Sequence, residues 1–305
     1  MLRRKLIKRV SLILSILVAV YVILMFPTTK DVNYNIISKS SNGVIYLLNK
    51  DNYLSRLEMV YESKDDINKI YEILDLVTIE SDSSYKIKND FYGYIPRNTK
   101  ILDLYIDDNI LYIDFSRDIL NYKDKEKMLE GITYSITSNI DINFIKLLVN
   151  GDDILYDGYL DRSIRINKEY NVNSLNDITS TTIYYPAKEN DIDYFIPVTK
   201  VDNNKNEKIE IIIDELKSSS SYNTNIVSFI DESTQLIDYQ LLDNTLLLNF
   251  NKSILGDINT NSLLEEVTYS INLSINDNYN VDSVMYTVED DLISNYFLLL
   301  GWVCK

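Results

Sequence analysis

Carboxylates are the residues this chain holds in number that could do acid–base chemistry. There are 46 Asp and Glu, no histidine, and a single cysteine, Cys304. Without histidine, neither a Ser-His-Asp nor a Cys-His nucleophile can be built. A zinc site of the usual Cys/His type and an intrachain disulfide are excluded on the same inventory. Four acidic pairs stand out: Asp65-Asp66, Asp107-Asp108, Asp152-Asp153 and Asp290-Asp291. Glycoside hydrolysis would need two carboxyls about 5–10 Å apart across a cleft, one with a raised pKa. Adjacent aspartates on a turn instead point apart into water. All four pairs fall where an element is expected to end, so turn and cap roles account for them. Asp152-Asp153…Asp157-Gly158 echoes a calcium loop without its spacing or its closing glutamate. Seven glycines form no phosphate-cradling loop. The expectation is a protein that is not an enzyme, with no catalytic, cofactor-binding or metal-binding residues.

The elements that would carry any site repeat themselves. Residues 95–136 align without a gap on 230–271 at an offset of 135, with 15 of 42 positions identical. A period this long is a domain used twice rather than a solenoid unit. In the first copy, Val44–Leu48 and Leu57–Tyr61 read as paired strands. Ile67, Ile70, Tyr71, Leu74 and Val77 form a helical stripe behind the cap residues Asp65 and Asp66. Ile101–Ile106 and Ile110–Phe115 flank the turn Asp107-Asp108-Asn109, Leu129, Ile132, Ile136 and Ile140 mark a second helix, and Phe144–Val149 closes the module. The second copy repeats this order, with Leu264, Val267, Ile271 and Ile275 expected at the positions of the second helix stripe. The fold expected is α+β: two tandem two-layer α/β sandwiches, each β-β-α-β-β-α-β with a mainly antiparallel sheet. Domain limits are 43–154 and 181–293, joined by a linker at 155–180, with an apolar tail at 294–305. The linker's Leu160–Ile166 would add an edge strand or cross-link the modules. The repeated Thr-Tyr-Ser-Ile (Thr133–Ile136, Thr268–Ile271) reads as helix packing.

Val10–Phe26 is an uncharged apolar run of 17 residues behind Arg3, Arg4, Lys5, Lys8 and Arg9. It is long enough for a short transmembrane helix, and no small-x-small cleavage site follows. Residues 1–27 are therefore expected to be a cytoplasmic basic tip and single-pass signal anchor, residues 28–42 a tether, and residues 28–305 extracytoplasmic. Without those five cations the net charge falls from −16 to −21. So acidic a body repels phosphate backbones, which argues against a nucleic-acid partner.

The run Tyr94–Leu120 resembles the core motif of the GerM (sporulation and spore germination) domain family: apolar-Pro-x-x-Thr, a strand, an acidic turn, and a strand ending Asp-apolar-Ser. Pro96, Thr99, Asp114, Phe115 and Ser116 fill it, and Asn150 and Gly151 complete the closing strand. The second copy departs from it, with Asp231, Asn249 and Asn251 where Pro96, Asp114 and Ser116 stand. The resemblance implies an extracytoplasmic, non-enzymatic scaffold, similar in build to ring-building domains of secretion systems. Its partners would be envelope or sporulation-complex proteins or further copies of itself, and no cofactor is implied. A module binding cell-wall polymer is the alternative.

Overall fold

The computed structural model describes residues 43–87, 89–190, 192–217, 230–257, 262–299 and 302–304. The expected anchor and tether lie outside these residues. Among the described residues, no helix is long and apolar enough to cross a membrane.

The first module runs β1 (Gly43–Asn49), β2 (Leu54–Met59), α1 (Asp66–Leu76), a short β3 (Phe91–Tyr92), β4 (Ile101–Asp107), β5 (Ile110–Phe115), α2 (Lys125–Thr137) and β6 (Phe144–Val149). After β7 (Glu169–Asn171), the second module repeats the order. It comprises β8 (Thr179–Glu189), β9 (Ile192–Asp202), α3 (Lys208–Lys217), β10 (Leu236–Leu242), β11 (Thr245–Phe250), a small β12 (Leu255–Asp257) and β13 (Ser262–Leu263) pair, α4 (Glu265–Asn278) and β14 (Ser283–Val288). β15 (Asp291–Leu299) and β16 (Trp302–Cys304) follow, so the expected apolar tail is an antiparallel extension of β14.

Local chemistry accounts for these elements. Asp108 and Asn109 both take positive φ, 46° and 61°, giving the two-residue hairpin turn between β4 and β5. The segment IEIIID within α3 is β-branched enough for a strand, yet Ile209, Ile212, Ile213 and Leu216 bury one helical face. Asp65 caps α1 by accepting from the Asn68 backbone N–H at 2.9 Å. That bond and the Asn68 side chain hold the Asp65 carboxyl below its usual pKa. Its contribution is therefore complete above the unfolded carboxyl pKa near about 4 and is lost as pH falls through the lower folded value. Asp65→Asn is expected to keep the cap and to show a shallower fall in melting temperature than wild type between pH 5 and 2.5.

The sheets depart from the expected one sheet per module. Each module instead divides its strands between two. β4, β5 and β6 form one sheet, and β10, β11 and β14 its counterpart. In each, the central pair is parallel (β5–β6, β11–β14), because a helix crosses over between the two strands. The first hairpins meet in a common sheet: β2 pairs antiparallel with β9 at Arg56↔Phe195, giving β1-β2-β9-β8 across the molecule. Equivalent strands pair antiparallel, so the duplicated modules pack as a pseudo-twofold dimer within one chain.

The second helices close the open edges of this sheet. Val44 N–H donates to Asn139 Oδ1 at 3.0 Å, and Tyr46 N–H to Ser135 Oγ at 3.1 Å. On the other side Thr182 N–H donates to Asn278 Oδ1 at 3.1 Å and Tyr184 N–H to Ser274 Oγ at 2.9 Å. Unpaired edges invite aggregation, and here polar helix side chains satisfy them. These pairs also correct the repeat. Ser135 corresponds to Ser274 and Asn139 to Asn278, an offset of 139, so the gapless alignment is one helical turn out beyond Leu120. The β12–β13 excursion supplies the extra residues. Leu264 is consequently not on the buried stripe. It is the N-cap of α4, 39% exposed, and lies over Gly256, where an added Cβ would come within 2.5 Å of Leu264 Cγ.

Candidate functional site

The motif residues form a turn clamp. Phe115 is fully buried at the end of β5. Beside it, Asp114 Oδ1 accepts from Gly151 N–H at 3.0 Å, and Phe115 C=O accepts from Asn150 N–H at 2.9 Å. Asn150 and Gly151 take positive φ, which Asn and Gly tolerate. Ser116 Oγ accepts from Lys100 N–H at 3.0 Å and lies within hydrogen-bond distance of Asp118. Pro96 C=O accepts from Thr99 N–H at 2.9 Å. The motif thus ties β4, β5 and β6 together at one end.

The second module keeps these bonds with different residues. Asn249 Oδ1 accepts from Asp290 N–H at 3.1 Å, and Asn251 Oδ1 accepts from Gln235 N–H at 3.0 Å. An amide oxygen serves as well as a carboxylate or hydroxyl because the role they share is to accept from a backbone N–H. What reads in the sequence as loss of the motif is conservation of its hydrogen bonds. Asp114→Asn is expected to change stability by less than about 0.5 kcal/mol, and Asp114→Ala to lower it by about 1 kcal/mol, in denaturant titrations.

The acidic pairs do not converge. Asp65 caps a helix and Asp108 sits in the hairpin turn. Asp153 pairs with Lys146 at 2.8 Å, and Asp290 accepts from Asn249 Nδ2 at 2.7 Å. Among the described residues, no group of three metal-ligating side chains comes together. A groove of about 470 Å³ lies beside α1 and β4, lined in part by Ser81, Arg97 and Thr99. A counterpart of about 540 Å³ lies beside α3 and β10 with different lining, so the fold sets its position.

The polar residues that sequence reasoning missed sit at the seam between modules. Asn167, 3% exposed with φ 44°, is one. Its Nδ2 donates to Leu54 C=O at 2.8 Å and Pro197 C=O at 2.6 Å, and its Oδ1 accepts from Leu54 N–H at 2.9 Å and Lys127 Nζ at 2.6 Å. Its backbone N–H donates to Glu130 Oε2 at 3.0 Å. Asn167 therefore bridges β2, β9 and α2. Burial pushes the Lys127 amine down and the Glu130 carboxyl up. Such shifts also mark catalytic pairs, but here both groups are engaged with Asn167. In one sequence, Asn167 reads only as a turn residue in the linker.

The second cluster joins four elements. Arg162, from the linker, pairs with Asp277 on α4 and donates to Ser138 Oγ beyond α2 at 2.9 Å. Its guanidinium lies 4.2 Å from the centroid of the Tyr134 ring. Tyr184 donates to Asp277 Oδ2 at 2.7 Å, and the Tyr46 and Tyr184 hydroxyls meet at 3.1 Å, on the pseudo-twofold. Burial pushes the Tyr134 and Tyr184 phenols well up. Burial alone would lower the Arg162 pKa; Asp277 together with the phenols of Tyr184, Tyr46 and Tyr134 more than reverses that. Tyr134 of the repeated tetrapeptide is thus core at the seam, and Leu160 and Ile145 exchange backbone hydrogen bonds at 2.8 and 2.9 Å. Of the two roles expected for Leu160–Ile166, the segment cross-links the modules through Arg162, and in place of an edge strand it makes a single antiparallel bridge from Leu160 to Ile145.

Residues 44–155 match the Germane family, described as sporulation and spore germination. The chain is 27% identical over 225 residues to the spore germination protein GerM of Bacillus subtilis (strain 168). That match spans 70% of this chain and 61% of the relative's length. The solved tandem GerMN domains of the sporulation protein GerM from Bacillus subtilis superpose with a TM-score of 0.72 at 27% identity, covering 82% of this chain and 91% of that one.

Proposed function

From the premise that this chain is of the GerM family, with a Germane domain at residues 44–155 and the tandem build of GerM, we propose that it is a non-enzymatic scaffold. In this reading it belongs to a sporulation or envelope-spanning protein complex. Residues 10–26 act as an uncleaved signal anchor, residues 1–9 stay in the cytoplasm, and residues 28–305 face outward. The observation that supports it most is the use of the polar residues. The motif oxygens of both modules accept from turn backbone. The buried or half-buried charges Lys127, Glu130, Arg162 and Asp277 tie the modules to each other. Fold alone does not assign a role, and this disposition favours architecture over chemistry.

In-cell crosslinking of the full chain, read by mass spectrometry, tests the proposal. Reproducible crosslinks to envelope or sporulation proteins are expected, and their absence would count against a scaffold. Hydrolysis of peptidoglycan that is abolished by one Asp substitution would overturn the non-enzymatic reading. A wall-polymer-binding module is a second reading, favoured by exposed rings such as Tyr105 and Tyr159. Retention of the protein on purified wall material would support it.

A further inference from the structure

The outer face of the β4–β5–β6 sheet carries a band of four aromatic rings that the fold does not require. Tyr105 on β4 stacks on its cross-strand partner Tyr112 on β5, with centroids 4.9 Å apart and planes at 11°. Burial, with the neighbouring Tyr159, pushes the Tyr112 phenol up. Tyr159 meets Phe144 on β6 edge-on at 6.0 Å. Tyr105, Phe144 and Tyr159 remain 44%, 39% and 51% exposed. The second module builds the same strands, yet places Gln240, Leu247 and Ser283 at the matching positions.

Carboxylates frame the band. Asp103 and Asp107 lie two residues to either side of Tyr105, on the same face of β4. Asp103 stands directly across from Asp114, a like-charge pair that opposes strand pairing. The second module has Asp238 across from neutral Asn249 at that place. The ring faces already attract a cation, since Lys146 Nζ lies 5.2 Å from the Tyr159 centroid while paired with Asp153.

We propose that this face binds a basic segment of a partner protein. Its Arg or Lys cations would seat on the tyrosine rings and be balanced by Asp103, Asp107 and Asp114. Exposed tyrosines and cation–π contacts are what dominate such interfaces, and opposite charge guides the encounter. An anionic wall polymer would meet carboxylates of its own sign. The proposal rests on the scaffold reading and adds the partner's chemistry.

The test is titration of the full chain, in detergent micelles, with octa-arginine, octa-glutamate and purified peptidoglycan strands. Saturable binding of octa-arginine is expected. Tyr105→Ser combined with Tyr159→Ser should weaken it about tenfold with net charge unchanged. Asp103→Asn combined with Asp107→Asn should weaken it as well and flatten its salt dependence. Thermal melts report whether each variant folds; should the tyrosine pair not fold, the aspartate pair decides. Affinity unchanged in a folded variant would mean diffuse attraction to an acidic protein and overturns the proposal. Binding of peptidoglycan in place of octa-arginine overturns it too. Either result with in-cell crosslinks intact refutes this face alone, whereas loss of all crosslinks refutes the scaffold.

Discussion

Asn167→Ala is expected to lower stability by about 4 kcal/mol, measured by urea denaturation of the full chain. The substitution leaves Leu54 N–H, Leu54 C=O and Pro197 C=O without their Asn167 partner in a buried seam, at about 1–3 kcal/mol for each group left unsatisfied and less than additively. Lys127 loses a partner in the same stroke. Alanine must also adopt φ 44°, which costs about 1 kcal/mol or more. The seam between the modules has one strand pair in register, Arg56↔Phe195, and Asn167 extends that ladder with its side-chain amide. Domains of this kind are stable by only about 5–15 kcal/mol, so the loss is large. A change under about 1 kcal/mol would show that the seam does not depend on this residue.

The Arg162–Asp277 pair should show strong coupling in a double-mutant cycle. Asp277→Leu leaves a partly buried guanidinium uncompensated and takes the acceptor from Tyr184, and is expected to cost about 3 kcal/mol. Arg162→Met forfeits the contact with Tyr134 and leaves a buried carboxylate, about 2 kcal/mol. The double variant should be more stable than the sum of the two by about 1–2 kcal/mol, because two apolar side chains can meet where two charges did. Additive losses would mean that the two residues stabilise the seam independently.

Local chemistry was legible in the residues; pairing between distant segments was not. The Asp108-Asn109 turn and the bounds of β5, β6, β10 and β11 follow from turn residues and alternation that any short window displays. The shared sheet joins Arg56 to Phe195, and no local pattern announces which edge strand meets which. The one-turn slip in the repeat is nearly silent for the same reason a helix has a stripe. Moving four residues turns a helical face by only about 40°, so apolar positions still align. It is the hydrogen bonds of Ser135 and Ser274 to equivalent strands that fix the offset. Asn249 and Asn251 read in sequence as departures from the motif, because residue identity does not display that an amide oxygen takes the acceptor place of Asp114 or Ser116.

The central claim is that the duplication builds one rigid block, a pseudo-dimer with a common sheet, rather than two beads on a linker. Scanning calorimetry of the full chain tests it most directly. A single unfolding transition with equal calorimetric and van't Hoff enthalpies is predicted. Two separate transitions, with the second module melting while the first stays folded, would contradict it.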